Sequence, residues 1–205
     1  INDDAFISFR YADNLVRHGE LTFNVGERVE GYTNFLWTML IAAVLALGGD
    51  PVAWSKTLGI VFAAGTLVVL FLFSRRWARG GAARSALWNL VAPVLLASNA
   101  AFACWAEGGL ETALFTLLVT AGILGFVLDQ DRPVRLAGSA VLLALAAMTR
   151  PEGVLVFGLL GVYAVARRLV VERTVRPTRS MLVWAALFVA AWAPYWLWRY
   201  RYYGY

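Results

Sequence analysis

The sequence predicts an all-α fold, a polytopic transmembrane bundle of about six spanning helices with an outer-face first loop that carries short membrane-surface helices. Three observations predict it. Of the 205 residues, 60% are hydrophobic, and runs such as 60–73, 91–102 and 181–198 are too apolar for the surface of a soluble domain. These runs recur along the chain with short arginine-bearing stretches between them. The one long polar stretch is residues 1–33.

Within that stretch Asn2 and Asp3 can cap a short helix over 4–17, Gly19 ends it, and Asn24-Val25-Gly26 reads as a turn. Phe6, Phe9, Ala12, Asp13 and Val16 would share its broadly apolar face, which lies on the membrane or against the bundle. Helices follow near 34–47, 51–73, 85–104, 110–128, 135–149, 152–170 and 181–198. The first of these is short of the roughly 20 residues a spanning helix needs, and Asn34, Trp37 and Thr38 make its start interfacial. It reads as a surface or half-inserted helix. The chain thus divides into an outer-face first loop with the catalytic segment (1–50), a transmembrane bundle (51–198) and the start of a next outer loop (199–205). It starts at Ile1 rather than Met and reaches Tyr205 without a terminating signal, so it reads as a piece of a longer protein.

The net charge of +5 does not point to nucleic acid, because the basic residues sit in short clusters at the ends of apolar runs. Charge instead reports orientation. With 1–50 outside, the loops bearing Arg75, Arg76, Arg79 and Arg84, then Arg132 and Arg135, then Arg167, Arg168, Arg173, Arg176 and Arg179 all fall inside. A spanning 34–47 would reverse that parity. The same layout brings 1–33, Glu107 with Glu111, and Arg150 with Glu152 to one outer face.

Cys104 is the only cysteine and His18 the only histidine, which excludes internal disulfides, Cys/His zinc sites and two-histidine motifs. No phosphate-cradling glycine loop, Walker-type sequence or Ser-His-Asp set occurs, so a nucleotide-driven pump and a serine hydrolase lack support. His18 reads as an exposed loop residue. Trp184, Trp192, Tyr195, Trp196, Trp198 and Tyr200 read as packing and an interfacial belt rather than a sugar platform.

The candidates for chemistry are carboxylates and arginines. Asp3 or Asp4, at the membrane surface, could take a proton from an acceptor hydroxyl, although either could simply cap the helix. Glu111 opens an apolar helix, where an ionisable residue implies function and a helix-dipole role is the plain alternative. If Asp3 or Asp4 converged with Glu111, they could hold a divalent cation such as Mg or Mn, or position the acceptor. Arg150 and Glu152 flank Pro151 as a structural turn or, for Arg150, a partner of a lipid phosphate. Arg10 and Arg28 are similar candidates, with the surrounding acids as alternative partners.

Four blocks carry a resemblance: Ile1-Asn2-Asp3-Asp4-Ala5-Phe6-Ile7-Ser8-Phe9-Arg10, Phe23-Asn24-Val25-Gly26-Glu27-Arg28-Val29-Glu30-Gly31-Tyr32-Thr33-Asn34, Gly109-Leu110-Glu111-Thr112 and Thr149-Arg150-Pro151-Glu152-Gly153. They resemble bacterial C-type-fold (GT-C) membrane glycosyltransferases, nearest to the terminal arabinofuranosyltransferase branch and more distantly to protein O-mannosyltransferases and the lipid A aminoarabinose transferase. The resemblance implies inverting transfer from a polyprenyl-phosphate sugar to a hydroxyl of a glycan, lipid or protein acceptor, on the periplasmic side of the bacterial inner membrane. It implies Asp3 as general base with Asp4 second, an acidic position at Glu111, a phosphate-neutralising Arg150, and substrate-binding roles for Arg10, Arg28, Glu30, Tyr32 and Glu152. Membrane lipids are its other expected partners. A non-catalytic lipid or sugar transporter, or an envelope scaffold, is the alternative. Broken helices and charges near the bilayer centre would favour the transporter.

Overall fold

The computed structural model describes residues 1–78, 86–129 and 133–204. Arg79, Arg84, Arg132 and the side chain of Arg135 lie outside the described residues. Among those described, the architecture is all-helical.

Helix α1 (Ala5–His18) stops where Gly19 turns left-handed at φ 70°, its N–H returning to Leu15 O. The face it buries is Ala5, Ser8, Phe9, Tyr11, Ala12 and Asn14. This corrects the expected face: Phe9 and Ala12 are inside, but Phe6 and Val16 are exposed. The reason is polar. Ser8 and Asn14 find buried partners, Asn14 Nδ2 donating to Thr22 O (2.8 Å) and Phe23 O (2.9 Å), so the stripe rotates toward the groups that satisfy them. Helix α2 (Phe35–Ala46) buries Trp37, Thr38, Ile41 and Ala42. Its 12 residues make about 18 Å of helix, well short of a bilayer core.

Helix α3 (Pro51–Ala78) begins with Asp50 accepting from Ala53 N (2.9 Å) and Val52 N (3.3 Å) and with Pro51 in the first turn. The single helix expected over 85–104 is broken. A 3₁₀ turn (Ala86–Leu90) leads into α4 (Val91–Ala97) and α5 (Ala100–Ala106), with a 68° bend between the two arms. Asn99 causes the break: its extended backbone and side-chain oxygen, which accepts from Phe102 N (3.1 Å), start a new helix.

Helices α6 (Thr112–Asp129), α7 (Pro133–Thr149), α8 (Glu152–Glu172) and α9 (Arg179–Tyr203) complete the order. Helix α9 runs on through 199–203, where a loop was expected, and ends at a left-handed Gly204. Three helices, α3, α8 and α9, are long and apolar enough to cross a membrane, and the bent α4–α5 pair makes a fourth if it is one span. Leu155, Leu159 and Val162 on α8 and Val61, Val68 and Leu72 on α3 are exposed, a density of apolar surface that water does not tolerate. Helices α6 and α7 are apolar but shorter, with 18 and 17 residues.

Alanines let α7 lie at the centre. Ala140, Ala144, Ala146 and Ala147 are buried, and small residues allow close backbone approach. Ser139 Oγ donates across to Gly122 O of α6 (2.7 Å). One core cluster joins Phe9 and Ala12 of α1, Trp37 and Ile41 of α2, Leu114 and Leu118 of α6 and Ala146 of α7. A second joins Phe126, Leu143, Trp184 and Phe188 of α6, α7 and α9. The first 50 residues are therefore packed onto the bundle at one end.

Candidate functional site

At that end lies an open pocket of about 520 Å³. Four separate stretches of sequence build it. The entry segment running into α1 contributes Asp4 and Ser8, the approach to α2 contributes Tyr32 and Asn34, the end of α5 with the turn into α6 contributes Trp105 and Glu111, and the α7–α8 turn contributes Arg150.

Backbone geometry fixes the entry segment. Asn2 N donates to Gly108 O (2.9 Å), and Asn2 Oδ1 accepts from Asp4 N (3.0 Å), so Asn2 supplies the cap. Gly109 adopts φ 79°, and a Cβ there would sit 2.9 Å from Ile1 Cγ1, which leaves glycine as the unstrained residue where the two segments cross. Asp4 occupies the helix N-cap position without using its side chain as a cap. Its carboxylate is exposed and lines the pocket. Asp3 is exposed and does not line it.

Glu111 is the organising acid. It is buried; its Oε2 accepts from Asn34 Nδ2 (2.8 Å) and its Oε1 lies 3.3 Å from Arg150 Nε. Asn34 in turn is held by Ser8 Oγ, 2.9 Å from its amide nitrogen, and by the Thr38 hydroxyl, which donates to its Oδ1 (3.1 Å). The Arg150 guanidinium sits 5.7 Å from the centroid of the Phe115 ring and keeps part of its surface open to the pocket. A buried carboxylate with both oxygens engaged and a cation beside it is poorly suited to receive a metal ion, since the guanidinium already supplies the positive charge. Asp3 does not line the pocket that Glu111 lines.

Tyr32 lines the pocket within a tyrosine cluster. Its ring centroid is 4.6 Å from that of Tyr11, and its hydroxyl lies 3.4 Å from the Tyr203 hydroxyl, which donates to Leu21 O (2.8 Å). Burial, reinforced by Tyr203, pushes the Tyr32 phenol far above the ordinary tyrosine range, so it stays neutral.

The remaining sequence candidates go elsewhere. Glu30 is buried in an ion pair with Arg199 of α9, which makes it a fastener for the 29–34 segment. Arg10 Nε donates to Phe23 O (3.1 Å). Arg28 stacks on Tyr202, 5.0 Å from its centroid. Neither takes an acid as partner among the described residues. Glu152 is exposed in the first turn of α8 and does not line the pocket. His18 is exposed, as expected, but in the last turn of α1. Trp184 packs between Phe126 and Phe157, while Trp196, Trp198 and Tyr200 are exposed near the pocket end of α9.

Sequence reasoning missed Ser8, Trp105 and the central part played by Asn34. Ser8 had a readable signal, because it lies four residues after Asp4 and so shares its helix face. Asn34 had none, since its partner Glu111 is 77 positions away. No protein-family model matches the chain, and neither a curated protein nor a solved structure matches it.

Proposed function

We propose that the protein is a bacterial GT-C-like membrane glycosyltransferase, related in mechanism to terminal arabinofuranosyltransferases, that moves a sugar from a polyprenyl-phosphate donor to a hydroxyl acceptor with inversion. The observation that carries this reading is the pairing, in one pocket, of a solvent-open Asp4 carboxylate with the Glu111-anchored Arg150 guanidinium. Asp4 takes the proton of the acceptor hydroxyl as its oxygen attacks the anomeric carbon. The bond from that carbon to the phosphate oxygen breaks with its electron pair, and Arg150 stabilises the charge gathering on the phosphate. Glu111 and Asn34 hold Arg150 in register. No step needs a metal. Asp4 replaces Asp3 as the proposed base because Asp4 lines the pocket.

In this reading the chain crosses the inner membrane six times, by α3, the α4–α5 pair and α6 to α9. At about 1.5 Å per residue α6 and α7 reach roughly 27 and 26 Å, so they stand nearly upright or thin the bilayer locally. Arg75, Arg76, Arg167, Arg168, Arg173, Arg176 and Arg179 lie at the helix ends opposite the pocket, which supports a periplasmic pocket. Helices α1 and α2 then lie on the outer surface.

One observation favours a second reading, a lipid or sugar transporter: the broken α4–α5 pair. Against it, the break at Ser98 and Asn99 does not line the pocket. The two readings separate in membranes bearing the full-length protein and radiolabelled polyprenyl-phosphate sugars. Transferase chemistry requires covalent product from wild type, a loss of about 10²–10⁴ in rate for Asp4→Asn, and a much smaller loss for Asp3→Asn. Donor moved across the bilayer without covalent product, unchanged by Asp4→Asn, would establish the transporter instead.

A further inference from the structure

A second cleft, of about 490 Å³, opens beside the last turns of α9. Arg28, Arg201, Tyr202, Trp198, Leu197 and Pro194 line it. It differs from the pocket in its charge: no carboxylate lines it, two guanidiniums do, and the rest of its lining is aromatic and apolar. The Trp198 and Tyr202 rings stack at 5.1 Å, and Arg28 lies over the Tyr202 ring. Neither Arg28 nor Arg201 pairs with a carboxylate among the described residues, whereas Arg199, between Trp198 and Arg201, is matched by Glu30. Among the described residues, the cleft therefore holds two arginines without a carboxylate partner. The α9 face that carries Pro194 and Leu197 continues, at helical spacing, through the exposed Ala190, Ala186 and Val183, on a helix long and apolar enough to cross a membrane.

We propose that this cleft binds the headgroup of an anionic bilayer phospholipid, with the phosphate on Arg28 and Arg201 and an acyl chain against Leu197 and Pro194. Guanidinium forks match phosphate oxygens, stacked Trp and Tyr rings suit the headgroup level, and basic residues at a membrane surface attract anionic lipid. The apolar wall selects a lipid over a soluble anion. Because Arg28 lies two residues before Glu30 and four before Tyr32, an occupied cleft would tie the pocket-lining segment to the bilayer. The proposal holds whatever reaction the pocket carries.

The test uses the full-length protein in nanodiscs of dioleoyl phosphatidylglycerol diluted into dioleoyl phosphatidylcholine, with native mass spectrometry counting the lipids retained. At about fivefold per arginine, the double variant R28Q/R201Q should retain phosphatidylglycerol on the order of 25-fold more weakly than wild type. R28K/R201K should keep most of the binding, and R17Q, which removes an arginine already paired with Asp13, should change nothing. Glycerol phosphate, a headgroup without chains, should fail to displace the lipid. Equal retention of the two lipids by wild type, or equal phosphatidylglycerol retention by wild type and R28Q/R201Q, overturns the proposal. Displacement by glycerol phosphate overturns it in favour of a soluble anion. If R28Q/R201Q does not fold, the wild-type lipid preference and the displacement experiment decide alone.

Discussion

Asn34 donates to Glu111 across 77 positions of sequence, with its Nδ2 2.8 Å from Glu111 Oε2, and the same nitrogen is 2.9 Å from Ser8 Oγ. One amide thus joins α1, the start of α2 and the start of α6. Asn34→Ala should cost about 1–3 kcal/mol by leaving buried acceptors unpaired. Asn34→Asp should be worse, because it sets a second carboxylate against Glu111. Thermal denaturation of the two variants in detergent checks the order; Asn34→Asp at wild-type stability would refute the role.

Arg150 carries two duties, one toward Glu111 and one toward the pocket. Arg150→Lys keeps the charge but loses the planar fork, so it should lower the turnover number for sugar transfer more than it raises the donor KM. Arg150→Met should in addition destabilise the protein, since Glu111 then keeps only Asn34. Steady-state transfer kinetics and melting curves, taken together, separate the two duties.

Gly153 lets α8 start against the end of α7. A Cβ there would lie 2.4 Å from Ala147 N, and backbone atoms must move to admit it. Gly153→Ala should cost about 1–3 kcal/mol and shift the turn that carries Arg150. The expected result is a lower melting temperature with transfer reduced although no pocket side chain has been altered.

The neutral Tyr32 makes an alkaline limit. Its folded-state phenol is raised above the ordinary 10.0, so the stability it contributes is complete below pH 10 and is lost as pH rises beyond, when only the unfolded chain can ionise. Tyr32→Phe should therefore move the alkaline unfolding midpoint upward. Helical circular dichroism and tyrosinate absorbance followed together against pH will register the shift or its absence.

Much of the helical framework is written locally. Gly19, the Asp50-Pro51 start and the apolar runs act over a few residues, and the helices stand where those signals put them. The break at Ser98-Asn99 was also a local signal, but a capping asparagine inside an apolar run is easily overridden by the run itself. The site was legible only in part. Asp4, Glu111 and Arg150 stand out as charges in apolar surroundings. Which of two adjacent aspartates faces inward depends on a hydrogen bond from Asn2 to Gly108, and the diversion of Glu30 to Arg199 depends on a contact across 169 positions. Neither has a local trace.

That last contact bears on the order in which the protein is made. Leu21, Glu30 and Tyr32 each find a partner on α9, in Tyr202, Arg199 and Tyr203, the last of the described helices to leave the ribosome. Before α9 is in place the 20–34 segment can already close on Tyr11 and Asn14 of α1 and, through Asn34, on Glu111; α9 adds the contacts that fasten it from the other side. Fastening of this segment is in this way completed only after the helices between have been inserted, and a nascent chain halted before α9 would hold Glu30 and Tyr32 without Arg199 and Tyr203.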